Sequence, residues 1–370
     1  MLREGIVRPE ATFMRPIKLT TTALIGALAT LACAPQKPDL SSAAPSSAAQ
    51  AIEPAIPRAA QPAASRAAVE RAVSSSWHGV TELRAAWGSG DSELGRKLAN
   101  ESNPEGPMSF AVAADGSVLV LDQVNLRVQR YKRGAHVGSM PLSDDNFQDL
   151  AIVDAERLVL LDRLVRTELV FVRRADGHEL SSVLIEGAGL PEAGGVTGLF
   201  VRPDGVWLER EHTTLVKVAT LDGTPAPERS VLPGRFSTDG KQLLQVARDG
   251  RDGALIQRRD SATPGAASAM SQVRFELPVL YLFALETDAA GQIFLGAHLT
   301  RFGAAPDFPV LDEREEVVVL GPDGRIRGRV ELMANTGAEE LFNTLRVTAA
   351  GHLYHLVADD LGVTVWRYVP

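Results

Sequence analysis

The stretch MSFAVAADGSVLVLDQVNLRVQRY, Met108 to Tyr131, decides the fold. Two apolar runs, 110–112 and 118–121, flank Asp115-Gly116, and a third run leads from Leu126 to Tyr131. Asp-Gly between apolar runs signals a hairpin, because such turns need positive φ angles. Val118-Leu119-Val120-Leu121 is apolar at every position, as a strand covered on both faces requires.

The same unit recurs along the chain. Ala151-Ile-Val-Asp154 leads to Leu158–Asp162, and Leu199–Gly205 leads to Val206–Glu209. Phe236–Gly240, Leu285–Gly291 with Ile293–Leu295, and Val347–Gly351 with Leu353–Val357 continue the rhythm. First turns therefore fall near 116, 155, 205, 240, 291 and 351, six units of about 49 residues across 79–370. No run keeps a helical period. Repeats of this length, each with four short strands, predict an all-β, six-bladed β-propeller.

The last unit supplies only three runs, 345–349, 353–357 and 363–368, before the chain reaches Pro370. Val80–Trp87 has no unit of its own. The expectation is that this N-terminal strand closes the ring beside Val363–Tyr368, since an open propeller would leave bare strand edges.

The unit at Pro107–Tyr131 resembles an NHL repeat, and Trp87-Gly-Ser-Gly90 with Asn103-Pro-Glu-Gly-Pro107 resembles the lead-in that family places before its first repeat. Later units keep only the strand–turn–strand rhythm; Asp162 retains the aspartate, with Arg166 near the asparagine position. The resemblance implies a propeller of mostly six blades in an extracytoplasmic or regulatory protein.

Residues before 79 are of other kinds. Arg15 and Lys18 precede an apolar run, Leu19–Ala32, followed by Cys33, the sole cysteine. A charged region, a short apolar region and small residues describe an export signal, and the run is short of the roughly 20 residues a membrane-spanning helix needs. Thr30-Leu-Ala-Cys33 resembles the lipobox of bacterial lipoproteins, with Thr30 where that family usually has Leu or Val; the resemblance implies lipidation at Cys33. Met14 is the better start of a compact signal. Residues 34–76 hold 14 Ala, 8 Ser and 6 Pro and no aromatic side chain, so they cannot bury enough surface to offset their ordering entropy. Such a chain reaches about 35 Å as a flexible coil. The organisation expected is a lipoprotein-type signal peptide over 1–33, a disordered linker over 34–78 and a propeller over 79–370.

Composition narrows the chemistry. A net charge of −8 disfavours a nucleic-acid surface, and one cysteine excludes a disulfide framework or a cysteine-rich zinc site. The seven histidines show no metal-ligand spacing, and neither a Gly-x-Ser-x-Gly elbow nor a phosphate loop occurs. In a propeller the loops between second and third strands share one rim. That gathers Asp122, Asn125, Asp162, Arg166, Glu211, His212, Arg248, Asp252, His298, Arg301, Asp307, Asp359 and Asp360. Of these, Asp122, Asn125, Asp162, Arg166, His212 and His298 form the candidate ligand-binding rim. Asp122 and Asn125 are also expected to cap their own turn, and His212 and His298 to be solvated loop residues. His355 shares a strand face with Leu353 and reads as packing. Phe302–Pro309, longer than a blade turn needs and carrying Phe308, is a candidate contact loop.

The sequence thus reads as a secreted, lipid-anchored module of a bacterial cell envelope, outer membrane or periplasm-facing. It is expected to be monomeric and to bind a protein or glycan partner, with no catalytic set and no cofactor. The alternative is a metal-dependent hydrolase or lyase at the channel mouth, using a divalent cation such as calcium.

Overall fold

The computed structural model describes residues 77–98, 102–263 and 269–370. The expected signal segment, Cys33 and nearly all of the linker lie outside them. The described residues form six four-stranded antiparallel sheets. The strand that comes first in the chain, β1 (His78–Ala86), comes last in the ring.

Blade 1 contains β2 (Phe110–Val112), β3 (Val118–Asp122), β4 (Arg127–Lys132) and β5 (Ala135–Pro141). Blade 2 contains β6 (Asp149–Ile152), β7 (Arg157–Asp162), β8 (Glu168–Arg173) and β9 (Glu179–Leu184). Blade 3 contains β10 (Val196–Arg202), β11 (Gly205–Arg210), β12 (Thr214–Ala219) and β13 (Val231–Pro233). Blade 4 contains β14 (Arg235–Phe236), β15 (Gln242–Arg248), β16 (Gly253–Asp260) and β17 (Ala269–Arg274). Blade 5 contains β18 (Val279–Thr287), β19 (Ile293–Phe302), β20 (Val310–Leu320) and β21 (Ile326–Glu331). Blade 6 contains β22 (Leu345–Val347), β23 (Leu353–Asp359) and β24 (Gly362–Val369), and β1 completes it.

The closure is antiparallel, from His78 opposite Val369 to Ala86 opposite Gly362, with an irregularity between Thr81 and Leu83. Leu83 and Ala85 of β1 enter the buried cluster that joins blade 6 to blade 1. Four further apolar clusters fill the seams between blades 1 and 2, 2 and 3, 4 and 5, and 5 and 6. This is why the central strands are apolar on both faces: each is packed between two neighbours.

All six first turns lie between the first two strands of a blade, as expected, and their loops differ in length: in blade 3 Arg202 pairs with Gly205 across two residues. At Asp115-Gly116 the Ala113 N–H donates to Ser117 O and the Gly116 N–H to Ala113 O, a three-residue loop. Only Gly116 takes positive φ, +77°, as this loop class requires. Asp115 instead accepts from the Ser117 N–H at 3.0 Å. The turns ending at Gly291 and Gly351 repeat the pattern, with φ of +78° and +81°. β19 and β20 pair outward to Phe302 opposite Val310, and residues 303–309 form the loop at their tip.

Candidate functional site

Two places in the ring concentrate functional chemistry: the central channel and the rim carrying the loops between second and third strands.

In the channel, two arginines each tie three blades together. Arg346 of blade 6 donates through Nε to Phe110 O at 2.9 Å and through Nη2 to Ser109 Oγ at 3.1 Å, both of the chain entering blade 1. The same Nη2 reaches Asp149 Oδ1 of blade 2 at 2.7 Å. Asp149 is fully buried and also accepts from Ser109 Oγ. Arg235 of blade 4 grips Glu209 of blade 3 with two bonds, Nε to Oε1 and Nη2 to Oε2, the latter at 2.8 Å. Its Nη1 reaches blade 5 at Leu285 O, 3.2 Å, and Glu286 Oε1, 3.3 Å.

The electrostatics follow from this inventory. Burial acts to raise the Glu209 carboxyl, but Arg235 and then His212 outweigh it and hold it down at about 2. Burial opposes the Arg235 charge, and Glu209 more than restores it, so that guanidinium stays protonated. Glu286 goes the other way. Its side chain is 23% exposed; burial pushes its carboxyl up, and neighbouring Glu209 and Asp149 add to the rise against Arg235 and Arg346. The sequence reading missed all five groups because each interrupts an otherwise apolar blade core. The available signal was positional: Asp149, Arg235, Glu286 and Arg346 are charges set into the innermost strands of blades 2, 4, 5 and 6, and Glu209 sits one strand outward in blade 3.

The candidate rim residues occupy the expected loops or the strand ends beside them, and most are engaged internally. Asp122 is fully buried and accepts from Gly95 N at 2.7 Å and Arg127 Nε at 2.7 Å. Asn125 Nδ2 donates to Gly88 O at 2.9 Å and to Asp122 Oδ2 at 3.0 Å. Rather than capping their own turn, the pair fastens the lead-in segment to blade 1. Asp162 does cap its turn, accepting from the N–H groups of Leu164, Val165 and Arg166 at 3.1, 2.8 and 3.0 Å. The Arg166 guanidinium is occupied by Glu168 and Glu179. His212 is exposed, yet its Nδ1 lies 3.3 Å from Glu209 Oε2, linking the rim to the channel network.

His298 departs from the expected solvated loop residue. It lies within β19, with its ring stacked on Tyr281 at 4.8 Å and Nε2 2.7 Å from Glu313 Oε1. Glu315 stands between His298, 3.5 Å away, and His355, 3.6 Å away. His355 is buried beside Leu353 at the seam with blade 5, as the strand alternation implied, and burial pulls its imidazole down to about 4. Among the described residues, no group of three or more His, Cys, Asp or Glu side chains is placed to hold a metal ion.

The rim also displays apolar side chains. Phe302, Phe308, Val310 and Leu311 are exposed on the β19–β20 hairpin, Leu164 and Val165 on the blade 2 loop, and Leu361 on the blade 6 loop.

No family model and no curated protein matches this sequence. Solved structures match it in fold. A member of the DUF4221 family from Bacteroides vulgatus aligns with a TM-score of 0.51 at 11% identity, over 79% of this chain and 98% of that one. Kuenenia stuttgartiensis hydrazine synthase aligns at 0.46 and 13% identity, over 70% of this chain and 74% of that one. Virginiamycin B lyase from Staphylococcus aureus aligns at 0.42 and 9% identity, over 80% and 99%. Likeness at such identities is a likeness of architecture alone, and the architecture is that of an all-β, six-bladed propeller.

Proposed function

We propose that this chain is an envelope-displayed binding module: an NHL-like propeller, lipidated at Cys33, held off the membrane by the 34–78 linker and presenting its rim to a protein partner. The observation that carries the reading is the β19–β20 hairpin, whose strands pair out to Phe302 and Val310 and leave Phe308 in the connecting loop 58% and Leu311 on β20 63% exposed. Exposed apolar groups on a rigid support favour contact with another protein. Asp312 is paired with Arg301, and Asp307 leaves the tip without the net positive charge that an anionic bilayer attracts.

The test is site-specific photo-cross-linking in cells carrying the full chain. A photoreactive phenylalanine at position 311 is expected to yield one discrete protein adduct, absent when the probe sits at Val137 on β5. Phe302→Ser with Phe308→Ser should abolish that adduct without lowering the melting temperature. A glycan adduct, or equal labelling from both positions, overturns the reading. Cys33→Ser should move the chain from the membrane to the soluble fraction; unchanged fractionation would remove the anchor from the proposal.

A further inference from the structure

On the face of the first turns the central channel opens into a cleft of about 990 Å³. Its walls are apolar where the innermost strands of four blades meet: Ala111, Ala151, Leu199, Phe200 and Val347. Two charged side chains from inner strands stand among them, Glu286 and Arg346. The mouth is polar, with Lys132, Arg133, His352 and Arg367 among its lining, and an apolar inner wall with convergent charged groups is a usual form of a small-molecule site.

The pairing inside the channel decides which ligand fits. Arg346 is engaged through Nε and Nη2 by Phe110 O, Ser109 and the buried Asp149 carboxylate, which already balances its charge. Arg235 is gripped at both ends of its fork by Glu209. Glu286 is the third carboxyl for two guanidiniums, and the one hydrogen bond it receives among the described residues is the 3.3 Å contact at Oε1. An anionic ligand would meet an engaged arginine and a like-charged neighbour. A cationic ligand would supply the missing countercharge.

We propose that this cleft binds a small organic cation, an amine on an apolar body, with its ammonium on Glu286 and its body against Ala151, Leu199, Phe200 and Val347. The charges nearer the mouth do not bar its entry: Lys132 is paired with Asp115, and Arg367 with Glu82. Arg133 and His352 flank the opening, and Glu286 is the carboxylate that the innermost strands present to the cleft, beside the Asp149-paired Arg346. The ligand's charge adds a second countercharge to a mostly buried carboxylate whose one ion pair among the described residues is the 3.3 Å contact with Arg235. This site is separate from the rim, so it stands or falls independently of the protein partner.

The experiment is calorimetric titration of the full chain with 4-phenylbutylamine, 4-phenylbutanol and 4-phenylbutyrate, which share an apolar body. The amine is expected to bind and the alcohol and carboxylate not to. Glu286→Gln should weaken the amine at least tenfold, roughly what one charge-assisted contact contributes. Ala151→Phe, which narrows the cleft without touching a charge, should weaken it as well and serves if the glutamine variant does not fold. Amine affinity should fall as pH drops, because Glu286 takes up a proton among Arg235, Glu209, Arg346 and Asp149 while the amine stays charged. Equal binding of the alcohol, undiminished binding by either variant, or no binding of the amine overturns the assignment.

Discussion

At the seam between blades 2 and 3, Leu161, Phe171, Leu199 and Leu208 bury one another. At the seam between blades 3 and 4 the contacts have another character. Trp207 meets Phe236 edge-on at 5.3 Å, Arg202 lies over the Phe236 ring at 3.8 Å, and Arg235 clasps Glu209. The innermost strand here, β14, has only two residues, Arg235 and Phe236, and one of them is charged. The three-residue innermost strands of blades 1 and 6 still carry apolar seams, so the polar character follows from Arg235 itself rather than from strand length. Apolar packing is non-directional and degrades by degrees. A buried ion pair depends on both members, and losing one strands the other.

The largest effect expected is at the ring's closure, which belongs to the apolar kind. Removing residues 78–88 takes away Leu83 and Ala85, exposed by only 1% and 3%, and bares the edge of β24. One buried leucine truncated to alanine costs about 2–5 kcal/mol, and a whole strand exceeds what a typical domain has to spare. Thermal unfolding by circular dichroism should lose its cooperative transition. A truncated chain that melts within a few degrees of the parent would break the closure argument.

Next comes the polar seam. Arg235→Met should destabilise by about 3–5 kcal/mol in denaturant titration, because Glu209 is left buried without its partner. Combining it with Glu209→Leu should recover most of that loss, since an apolar pair of similar volume often replaces a buried ion pair without penalty. Across the blade 2–3 seam no such rescue exists: Leu208→Ala and Leu161→Ala should simply add or exceed their sum. If the double variant at the polar seam is as unstable as Arg235→Met, the ion pair is not what joins these blades.

The contrast also explains what was legible in the sequence. Six turns and a displaced closing strand could be read because alternation, Asp-Gly turns and the missing fourth run are local patterns or simple counts. The blade 3–4 seam could not be read. Nothing adjacent to Arg235 in the chain shows that Glu209, 26 residues earlier, will be its partner. The same holds for Arg346 and Asp149, 197 residues apart, and for the Glu315 bridge between His298 and His355. Asp122 and Asn125 were recognisable as special, but their partners, Gly95 and Gly88, come from a segment whose path depends on the closed ring.

Acid separates the two kinds of seam. His355 at the blade 5–6 seam has a folded value of about 4 against an ordinary 6.5, so the unfolded chain binds a proton that the folded one refuses. Stability should therefore fall as pH drops from 6.5 to 4, by roughly 3 kcal/mol. Glu209 is held at about 2 against 4.5, so its contribution is present above pH 4.5 and is lost as pH falls towards 2. Glu286, shifted upward, works in the opposite sense and gains stability as it takes up a proton. His355→Gln should flatten the upper window of a stability-against-pH curve and leave the lower one. The paired Arg235→Met, Glu209→Leu variant should do the reverse. A single variant that flattens both windows would show that the seams titrate together.

The smallest effect tests whether charge or area holds the polar seam. Arg202 sits over Phe236 with 17% of its side chain exposed, and its Nη1 reaches Ser237 O at 3.4 Å. Burial lowers its basicity, so the ring face is repaying part of a desolvation cost. Arg202→Met keeps a long apolar stem on the ring and removes the cation; the expected loss is about 1 kcal/mol. Phe236→Ala removes the ring from both Arg202 and Trp207 and should cost about 3 kcal/mol or more. Were the methionine variant as stable as the parent, area alone would hold blades 3 and 4 together at this point. Arg202 would then be filling space as the leucines do across the other seams, and the Arg235–Glu209 ion pair would be the one feature that sets this seam apart.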